Sequence, residues 1–298
     1  MAIPRDLRVH RPETVDEALA LLDELGDDAA PYAGGTELVM LLKLGLTSVR
    51  DLVDVRRIPL LQGIRLLDHG ALRVGAATTH RELHQCALAS RWPSLPEMEA
   101  TVGNVRVMSM GTLGGNLCFA DPQSDPATYL TAVAATLVCT AADGSARRLP
   151  VQDFLLDAYS TSLRHGTELL ASIEIPPLDD GCVIAHRKIA FGERPDVTCA
   201  LRLRARDGYA EQVCLVLGSM TGRPLVTDAG RQLERSRLAD LVTGSALVRD
   251  VAQAAADEAH AVALTDSRGR HARVLAVNLV EQVVAVATDR LDAGAVVP

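Results

Sequence analysis

Two clusters of glycine are the residues of this sequence whose spacing most directly suggests chemistry. The first lies within residues 33–38, which read Ala-Gly-Gly-Thr-Glu-Leu, and the second lies within residues 111–116, which read Gly-Thr-Leu-Gly-Gly-Asn. Glycine lets the backbone adopt positive φ and approach a ligand closely, so that free N–H groups can surround an anion. Two such clusters in one chain suit a diphosphate better than a single phosphate.

A polar pair that could complement these clusters, Ser124 and Asp125, follows shortly after the second of them. The Asp125 carboxylate could accept a hydrogen bond from a ribose or ribityl hydroxyl, although its position before an expected helix also fits a helix cap.

Neither glycine cluster is a standard nucleotide-binding motif. The sequence contains no G-x-G-x-x-G and no Gly-Lys step, which excludes a P-loop. Judged by composition alone, each cluster therefore also fits a plain tight turn.

Other reactive residue types do not form a site in the sequence. His80 and His84 stand four apart on an expected helix, but the zinc motif requires Glu directly after the first His, and here Glu82 comes one residue later than that. We therefore expect this helix to face solvent. No two of the six cysteines lie within four residues of each other, so we expect free thiols rather than a zinc ribbon or a ferredoxin-type cluster. No G-x-S-x-G nucleophile elbow is present, and no catalytic residue or metal ligand is assigned.

The elements that must position the glycine clusters alternate between strands and helices. The first segment is expected to run β–helix–β–helix–β, with the first cluster between its second strand and its second helix. A hairpin, short helices and further strands follow, including a strand pair between residues 162 and 175, and the second cluster is expected to be a loop. Pro176-Pro177 and the acidic turn after it mark the main boundary. Beyond it the sequence predicts three strands of alternating polarity and two long helices.

Composition limits the function classes further. The chain has 298 residues, a net charge of −8 and 3% aromatic residues, which argues against a nucleic-acid-binding face. No apolar run reaches the ~18 residues of a membrane span, and the N-terminus has no apolar signal core. We therefore expect the chain to remain in the cytoplasm. Only two of the thirty basic residues are lysines, Lys43 and Lys188.

Together the clusters resemble the flavin loops of the FAD-binding subunits of molybdenum hydroxylases, which include the medium subunits of bacterial carbon monoxide dehydrogenase and the central domain of xanthine dehydrogenase. Residues 31–38 resemble the first loop. Residues 111–117, followed by residues 120–122 and 124–126, resemble the second. Further resembling stretches come in the family's order and spacing, so that the resemblance extends from near residue 5 to residue 290; they are residues 52–55, 72–76, 168–176 and 187–190.

The resemblance implies which residues would bind FAD. The two glycine clusters would wrap its pyrophosphate and ribityl parts, and Asp125 would hold a hydroxyl. Lys188 matches a basic position near the cofactor, where an ammonium could offset phosphate charge or favour reduced, anionic flavin, although a solvated strand-edge lysine is the alternative. The cofactor-binding residues expected in this way are Pro31, Tyr32, Ala33, Gly34, Gly35, Thr36, Glu37, Leu38, Val102, Gly111, Thr112, Gly114, Gly115, Asn116, Ser124, Asp125, Leu170 and Lys188.

The resemblance also implies an α+β fold. A bipartite FAD-binding domain of the vanillyl-alcohol-oxidase or PCMH type would consist of one subdomain at residues 1–57 and a second at residues 58–177. A C-terminal domain at residues 178–298, similar to that of the carbon monoxide dehydrogenase flavoprotein, would contribute a three-stranded antiparallel sheet with helices.

The function implied is that of an electron-transfer subunit in a molybdenum-containing hydroxylase or dehydrogenase. In the family one partner subunit carries molybdopterin and another carries two [2Fe–2S] clusters, so that electrons would pass through FAD on this chain to an acceptor such as NAD, quinone or oxygen. The assembly would be a heterotrimer that dimerises. Arg106, Met108 and Ser109 depart from the residues common in the family before the second loop. This leaves open a stand-alone FAD-dependent oxidoreductase acting on a small molecule, while the intact glycine clusters argue against a binding module that has lost FAD.

Overall fold

The computed structural model describes residues 6–263 and 266–293, and its first sheet contains three parallel strands in the order β1-β3-β2. Its middle strand is fixed to the first by Asp51, which is fully buried and accepts hydrogen bonds from Arg8 at 2.6 and 2.7 Å. The predicted β–helix–β–helix–β order is confirmed. The elements are β1 (Arg8–His10), α1 (Val15–Leu25), β2 (Ala29–Tyr32), α2 (Leu38–Leu44) and β3 (Asp51–Asp54).

The second sheet has five antiparallel strands in the order β4-β5-β10-β6-β7. The helices and connecting segments around it bury large side chains such as Trp92, Tyr129 and Phe154 in one apolar core. Its elements are β4 (Ile64–Leu66), β5 (Leu72–Gly75), α3 (His80–Gln85), α4 (Ser94–Glu99), α5 (Val105–Met110), α6 (Leu113–Phe119), α7 (Asp125–Ala132), β6 (Thr136–Ala141), β7 (Ala146–Pro150), α8 (Val151–Phe154), the short pair β8 (Leu155–Asp157) and β9 (Ser160–Thr161), and β10 (Glu168–Ile175).

Two expectations for this region are wrong. The strand pair between residues 162 and 175 is a single strand, β10, because the backbone N–H groups of Thr167 and Glu168 both donate to the carbonyl of Arg164 and so form a turn. The second glycine cluster is not a loop throughout. The chain enters helix α6 at Leu113, with the Thr112 hydroxyl capping the N–H of Gly115 at 3.1 Å.

The third sheet is an antiparallel meander in the order β11-β12-β13-β14. It comprises β11 (Cys182–Ile189), β12 (Val197–Arg206), β13 (Tyr209–Gly218) and β14 (Leu225–Val226), and the helices α9 (Ala246–Ala261) and α10 (Asp266–Asp292) share its core. The predicted three strands and two helices are present, but β14 adds a fourth strand. Because β14 has only two residues, it is too short to show the alternation by which a strand is recognised in sequence.

The α+β class is confirmed, and polar contacts join the third sheet to the helices of the second. Arg290 on α10 donates to both carboxylate oxygens of Glu97 on α4, at 2.7 and 2.8 Å. Within the described ranges no helix combines the length and the apolar character needed to cross a membrane.

Candidate cofactor-binding site

A cavity of about 600 Å³ lies where the loop between β2 and α2 meets the segment from α5 to α6. The two glycine clusters touch at this point. A Cβ atom at Gly34 would lie only 2.7 Å from the Cα of Gly111, so only a glycine permits this approach of the two backbones. A volume of this size is typical of a site for a cofactor or another small molecule. The cavity therefore joins two parts of the chain that are more than seventy residues apart in sequence.

All of the residues expected to bind a cofactor line this cavity, except Ser124 and Lys188. Val102 and Leu170 supply apolar wall, and the two clusters and Asp125 supply polar groups. Ser124 and Lys188 lie behind the lining and contact residues that belong to it, as described below. The members of the expected set that face the cavity are Pro31, Tyr32, Ala33, Gly34, Gly35, Thr36, Glu37, Leu38, Val102, Gly111, Thr112, Gly114, Gly115, Asn116, Asp125 and Leu170.

The first glycine cluster offers a row of free backbone donors. Gly35 has φ +68°, which turns the chain out of β2 and towards α2. Among the hydrogen bonds between described residues, none uses the N–H of residues 34–38. Successive N–H groups left free in a glycine turn form a concavity that binds anions. The geometry of this loop therefore fits the phosphate-binding role that its glycine-rich composition predicts.

The second glycine cluster does not provide the second row of free donors that the sequence suggested. The N–H of Gly111 donates to Val107, that of Leu113 to Thr78 and that of Gly114 to Ala76. These bonds press α6 against the loop after β5, where a Cβ at Gly114 would lie 2.6 Å from the carbonyl oxygen of Ala76. The segment is thus a closely packed wall of the cavity, and its glycines serve packing as much as ligand approach.

Asn116 presents a side-chain donor in place of those backbone groups. Its Oδ1 accepts a hydrogen bond of 2.5 Å from the Ser124 hydroxyl, which in turn caps α7 by accepting from the N–H of Ala127. Since the oxygen is held in this way, the amide nitrogen of Asn116 is the atom left to face a ligand. Ser124 therefore does not line the cavity itself but orients Asn116, which does.

The buried Asp125 and the partly buried Lys188 form an ion pair at the edge of the cavity. Asp125 is 3% exposed, and its Oδ2 accepts from Lys188 Nζ at 2.6 Å, while Lys188 also donates to the carbonyl of Thr101. The other carboxylate oxygen, Oδ1, has no hydrogen-bond partner among the described residues. Ser124, not Asp125, is the helix cap, so the alternative reading of Asp125 as a cap is wrong. Lys188 donates two hydrogen bonds and is 17% exposed, so the alternative interpretation of it as a solvated lysine at a strand edge is also wrong.

Burial dominates the titration of Asp125. Loss of hydration raises the pKa of Asp125 to about 6, although the ammonium of Lys188 opposes the rise. Burial, together with Lys188 and Arg187, lowers the pKa of His186 to about 3. His186 Nε2 stands 3.7 Å from Asp125 Oδ1 and is therefore a neutral neighbour near neutral pH. Lys188 is thus the cation that keeps Asp125 ionised and available as an acceptor.

A stability measurement can isolate the Asp125 titration. The pKa is about 6 in the folded chain and 3.8 by its ordinary value, so between these values the folded state binds the proton more tightly than the unfolded state does. The contribution of Asp125 to the free energy of unfolding should therefore fall as pH rises from about 4 to about 6, and stay constant above. Across this pH range, the free energy of unfolding measured with urea should decline less steeply for Asp125→Asn than for the wild-type chain. An identical slope in the variant would contradict the assignment.

Two features of the site were missed in the sequence. His80 was expected on a solvent-facing helix, but it is 2% exposed, lines the cavity and bonds to the buried Glu99 at 2.6 Å. Arg194, in the loop after β11, contacts both oxygens of Glu37 at 2.9 and 3.0 Å and also pairs with Asp121. His80 could have been suspected from its place in the His-x-x-x-His motif. Nothing in the sequence signals the pairing of Arg194 across 157 residues.

The described part of the chain shows no grouping of three or more His, Cys, Asp or Glu side chains suited to a metal ion. The cavity lining is acidic at its edge, with Glu37, Asp121, Asp125 and Glu193 against the single guanidinium of Arg194. A ligand with a diphosphate therefore depends on backbone N–H groups and on the few cations placed near them.

Comparison with known proteins agrees with this geometry. Residues 5–178 match the family described as the FAD binding domain in molybdopterin dehydrogenase. The chain is 31% identical to the carbon monoxide dehydrogenase medium chain of Hydrogenophaga pseudoflava over 263 residues, or 87% of this chain and 88% of that one. It is 27% identical to the xanthine dehydrogenase FAD-binding subunit of Escherichia coli O157:H7 over 95% of this chain and 97% of that one. A solved carbon monoxide dehydrogenase from Hydrogenophaga pseudoflava superimposes with a TM-score of 0.86 at 29% identity, covering 97% of this chain and 99% of that one.

Proposed function

The chain belongs to the family of FAD-binding domains of molybdopterin dehydrogenases, and we propose that it passes electrons from the iron–sulfur clusters of a partner subunit through FAD to an external acceptor. It is a flavoprotein subunit of an oxidoreductase. The observation that carries the proposal is the row of free N–H groups at residues 34–38, which opens into a cavity of about 600 Å³ beside the buried carboxylate of Asp125.

The residues of the cavity fit FAD. The N–H groups of residues 34–38 and the amide nitrogen of Asn116 would hold its diphosphate, and Asp125 would accept from a hydroxyl of its ribityl chain or ribose. Val102 and Leu170 would provide apolar contacts. When bound, FAD supplies the transfer of one or two electrons, while the chain supplies binding, orientation and electrostatics. No side chain of this site needs to act as a general acid or base for that role.

Partner subunits are proposed from the division of cofactors. The relatives are named as a medium chain and as an FAD-binding subunit, and the chain matches each of them over most of its length. No two cysteines of the sequence lie close enough to supply a ferredoxin-type cluster. We therefore place the [2Fe–2S] clusters and molybdopterin on an iron–sulfur subunit and a molybdopterin subunit, in a heterotrimer that dimerises. NAD, a quinone or oxygen would accept the electrons.

Removal of the Asp125 carboxylate should weaken FAD binding. A hydrogen bond to a charged acceptor contributes about 1–3 kcal/mol, so Asp125→Ala is expected to raise the dissociation constant for FAD by about 5- to 150-fold. Quenching of flavin fluorescence during titration of the flavin-free chain measures this constant. Asp153→Ala, which changes an exposed aspartate outside the cavity, should leave it unchanged. An unaltered constant for Asp125→Ala would remove Asp125 from the cofactor site.

Purification of the assembly from the native host tests the proposed function. We expect three polypeptides in equal amounts and a visible spectrum in which iron–sulfur absorbance adds to that of a flavin. A flavin spectrum from this polypeptide alone would instead support a stand-alone FAD-dependent oxidoreductase acting on a small molecule. Partner polypeptides without flavin would contradict the electron-transfer role.

A further inference from the structure

His80 and Glu99 form a buried pair that the electron-transfer role does not by itself explain. His80 on α3 and Glu99 on α4 are 2% and 0% exposed, and His80 Nδ1 lies 2.6 Å from Glu99 Oε2. The second carboxylate oxygen, Oε1, is buried and has no hydrogen-bond partner among the described residues. A buried carboxylate is costly unless its charge is compensated, so the pair needs a reason beyond packing.

The pair fixes which ring nitrogen of His80 faces the cavity. Nδ1 is the ring nitrogen engaged with Glu99, so Nε2 is the one that has no hydrogen-bond partner among the described residues. The backbone N–H of His80 also donates to the carbonyl of Gly111 at 3.1 Å, which holds the residue against the second glycine cluster. His84, one turn later, bonds to the carbonyl of Pro96 through its own Nδ1 and does not share the cavity.

Nε2 of His80 lies near the junction of the two glycine clusters. A Cβ placed on Gly111 would be 3.6 Å from it, and Gly111 is the residue that Gly34 touches at the start of the free N–H row. An anion bound by that row would therefore lie close to the imidazole. The neighbouring charges are those of Glu99 on α4 and of Asp125 on α7, which is paired with Lys188 on β11.

We propose that His80, oriented by Glu99, donates a hydrogen bond from Nε2 to a phosphate oxygen of the FAD diphosphate. This inference rests on the proposed function, since it deepens the description of the same cofactor site. In this arrangement Nδ1 stays engaged with the Glu99 carboxylate and Nε2 faces the phosphate. His80 would add a hydrogen-bond donor to a lining in which the guanidinium of Arg194 stands beside four carboxylates. Glu99 is then a positioning residue that acts through His80.

Two substitutions of His80 separate the roles of its nitrogens. In His80→Asn the amide can occupy the place of Nδ1 and keep the bond to Glu99, but it cannot reach the place of Nε2. In His80→Gln the amide nitrogen can occupy the place of Nε2. We expect the Asn variant to bind FAD about 10- to 100-fold more weakly than the wild-type chain, and the Gln variant to stay within about fivefold of it. Circular dichroism and urea unfolding check that both variants fold.

The same titrations decide the outcome. Equal loss of FAD affinity in both variants, or no loss in the Asn variant, would overturn the inference. ADP has the diphosphate without the flavin, so the variants should rank in the same order by ADP affinity. If substitution of His80 leaves the ADP affinity unchanged, Nε2 contacts another part of the cofactor, and the phosphate assignment is contradicted. For Glu99, the Gln variant retains an acceptor oxygen and should keep FAD affinity, whereas Glu99→Leu should lose as much as His80→Asn. A wild-type chain that binds no FAD would overturn the proposed function itself.

Discussion

Gly115→Val should abolish FAD retention while the chain still folds, whereas Gly114→Val should destabilise the fold. The two glycines are neighbours on α6, but they face different surroundings. Gly115 is exposed in the cavity, where a Cβ would meet only the hydroxyl of Thr112, at 2.8 Å. A Cβ at Gly114 would lie 2.6 Å from the carbonyl oxygen of Ala76. The same chemical change therefore fills the ligand volume at one position and forces apart packed backbone at the other.

Flavin content and urea unfolding, measured on the same preparations, distinguish the two effects. We expect Gly115→Val to contain no measurable FAD and to lose about 1–2 kcal/mol of unfolding free energy, because the added side chain displaces the capping hydroxyl of Thr112. Gly114→Val should lose about 3 kcal/mol or more, as overpacking against backbone does. Normal FAD occupancy in Gly115→Val would show that the cavity wall at α6 does not contact the cofactor.

Lys188→Met should cost about 3 kcal/mol of unfolding free energy near neutral pH. Lys188 is the cation beside Asp125, at 2.6 Å, and removal of one partner of a buried ion pair leaves an uncompensated charge. Since the pKa of Asp125 is about 6 even with Lys188 present, the carboxyl is largely protonated below that pH. The destabilisation should therefore shrink as pH falls towards about 5. Urea unfolding at the two pH values measures the difference.

Lys43→Met is the matched control, because Lys43 is the other lysine of the chain and is exposed on α2. It should leave the unfolding free energy within about 0.5 kcal/mol of the wild-type value. The double variant Lys188→Met/Asp125→Asn removes both charges and should recover most of the lost stability without recovering FAD affinity. A loss as large in the double variant as in Lys188→Met would show that packing of the lysine, and not its charge, stabilises the site.

The glycine clusters and the elements around the first of them could be predicted from local sequence. The β–helix–β–helix–β order follows from short-range periodicity, whereas Val102 and Leu170, which line the same cavity, were expected only from the family resemblance. Such signals are local because a backbone position with positive φ favours glycine, as at Gly35. Asp125 and Lys188 were each selected, yet their ion pair joins residues 63 apart and has no sequence signature.

The parts that could not be predicted depend on partners distant in the chain. The composition of a glycine-rich segment predicts a loop with free donors, but Gly111, Leu113 and Gly114 donate to the carbonyls of Val107, Thr78 and Ala76. His80 reads as a surface residue because only the fold brings the buried Glu99 to it. Composition indicates which conformations a segment tolerates, whereas its burial and its hydrogen-bond partners depend on the elements that the fold packs against it.

The most direct test of the central claim is the identity and amount of the chromophore released from the purified chain. The site described here predicts FAD, with both its flavin and its diphosphate, at one molecule per chain. A chain that releases no flavin, and that binds none after FAD is added, would contradict the assignment of the cavity between the two glycine clusters as a cofactor site.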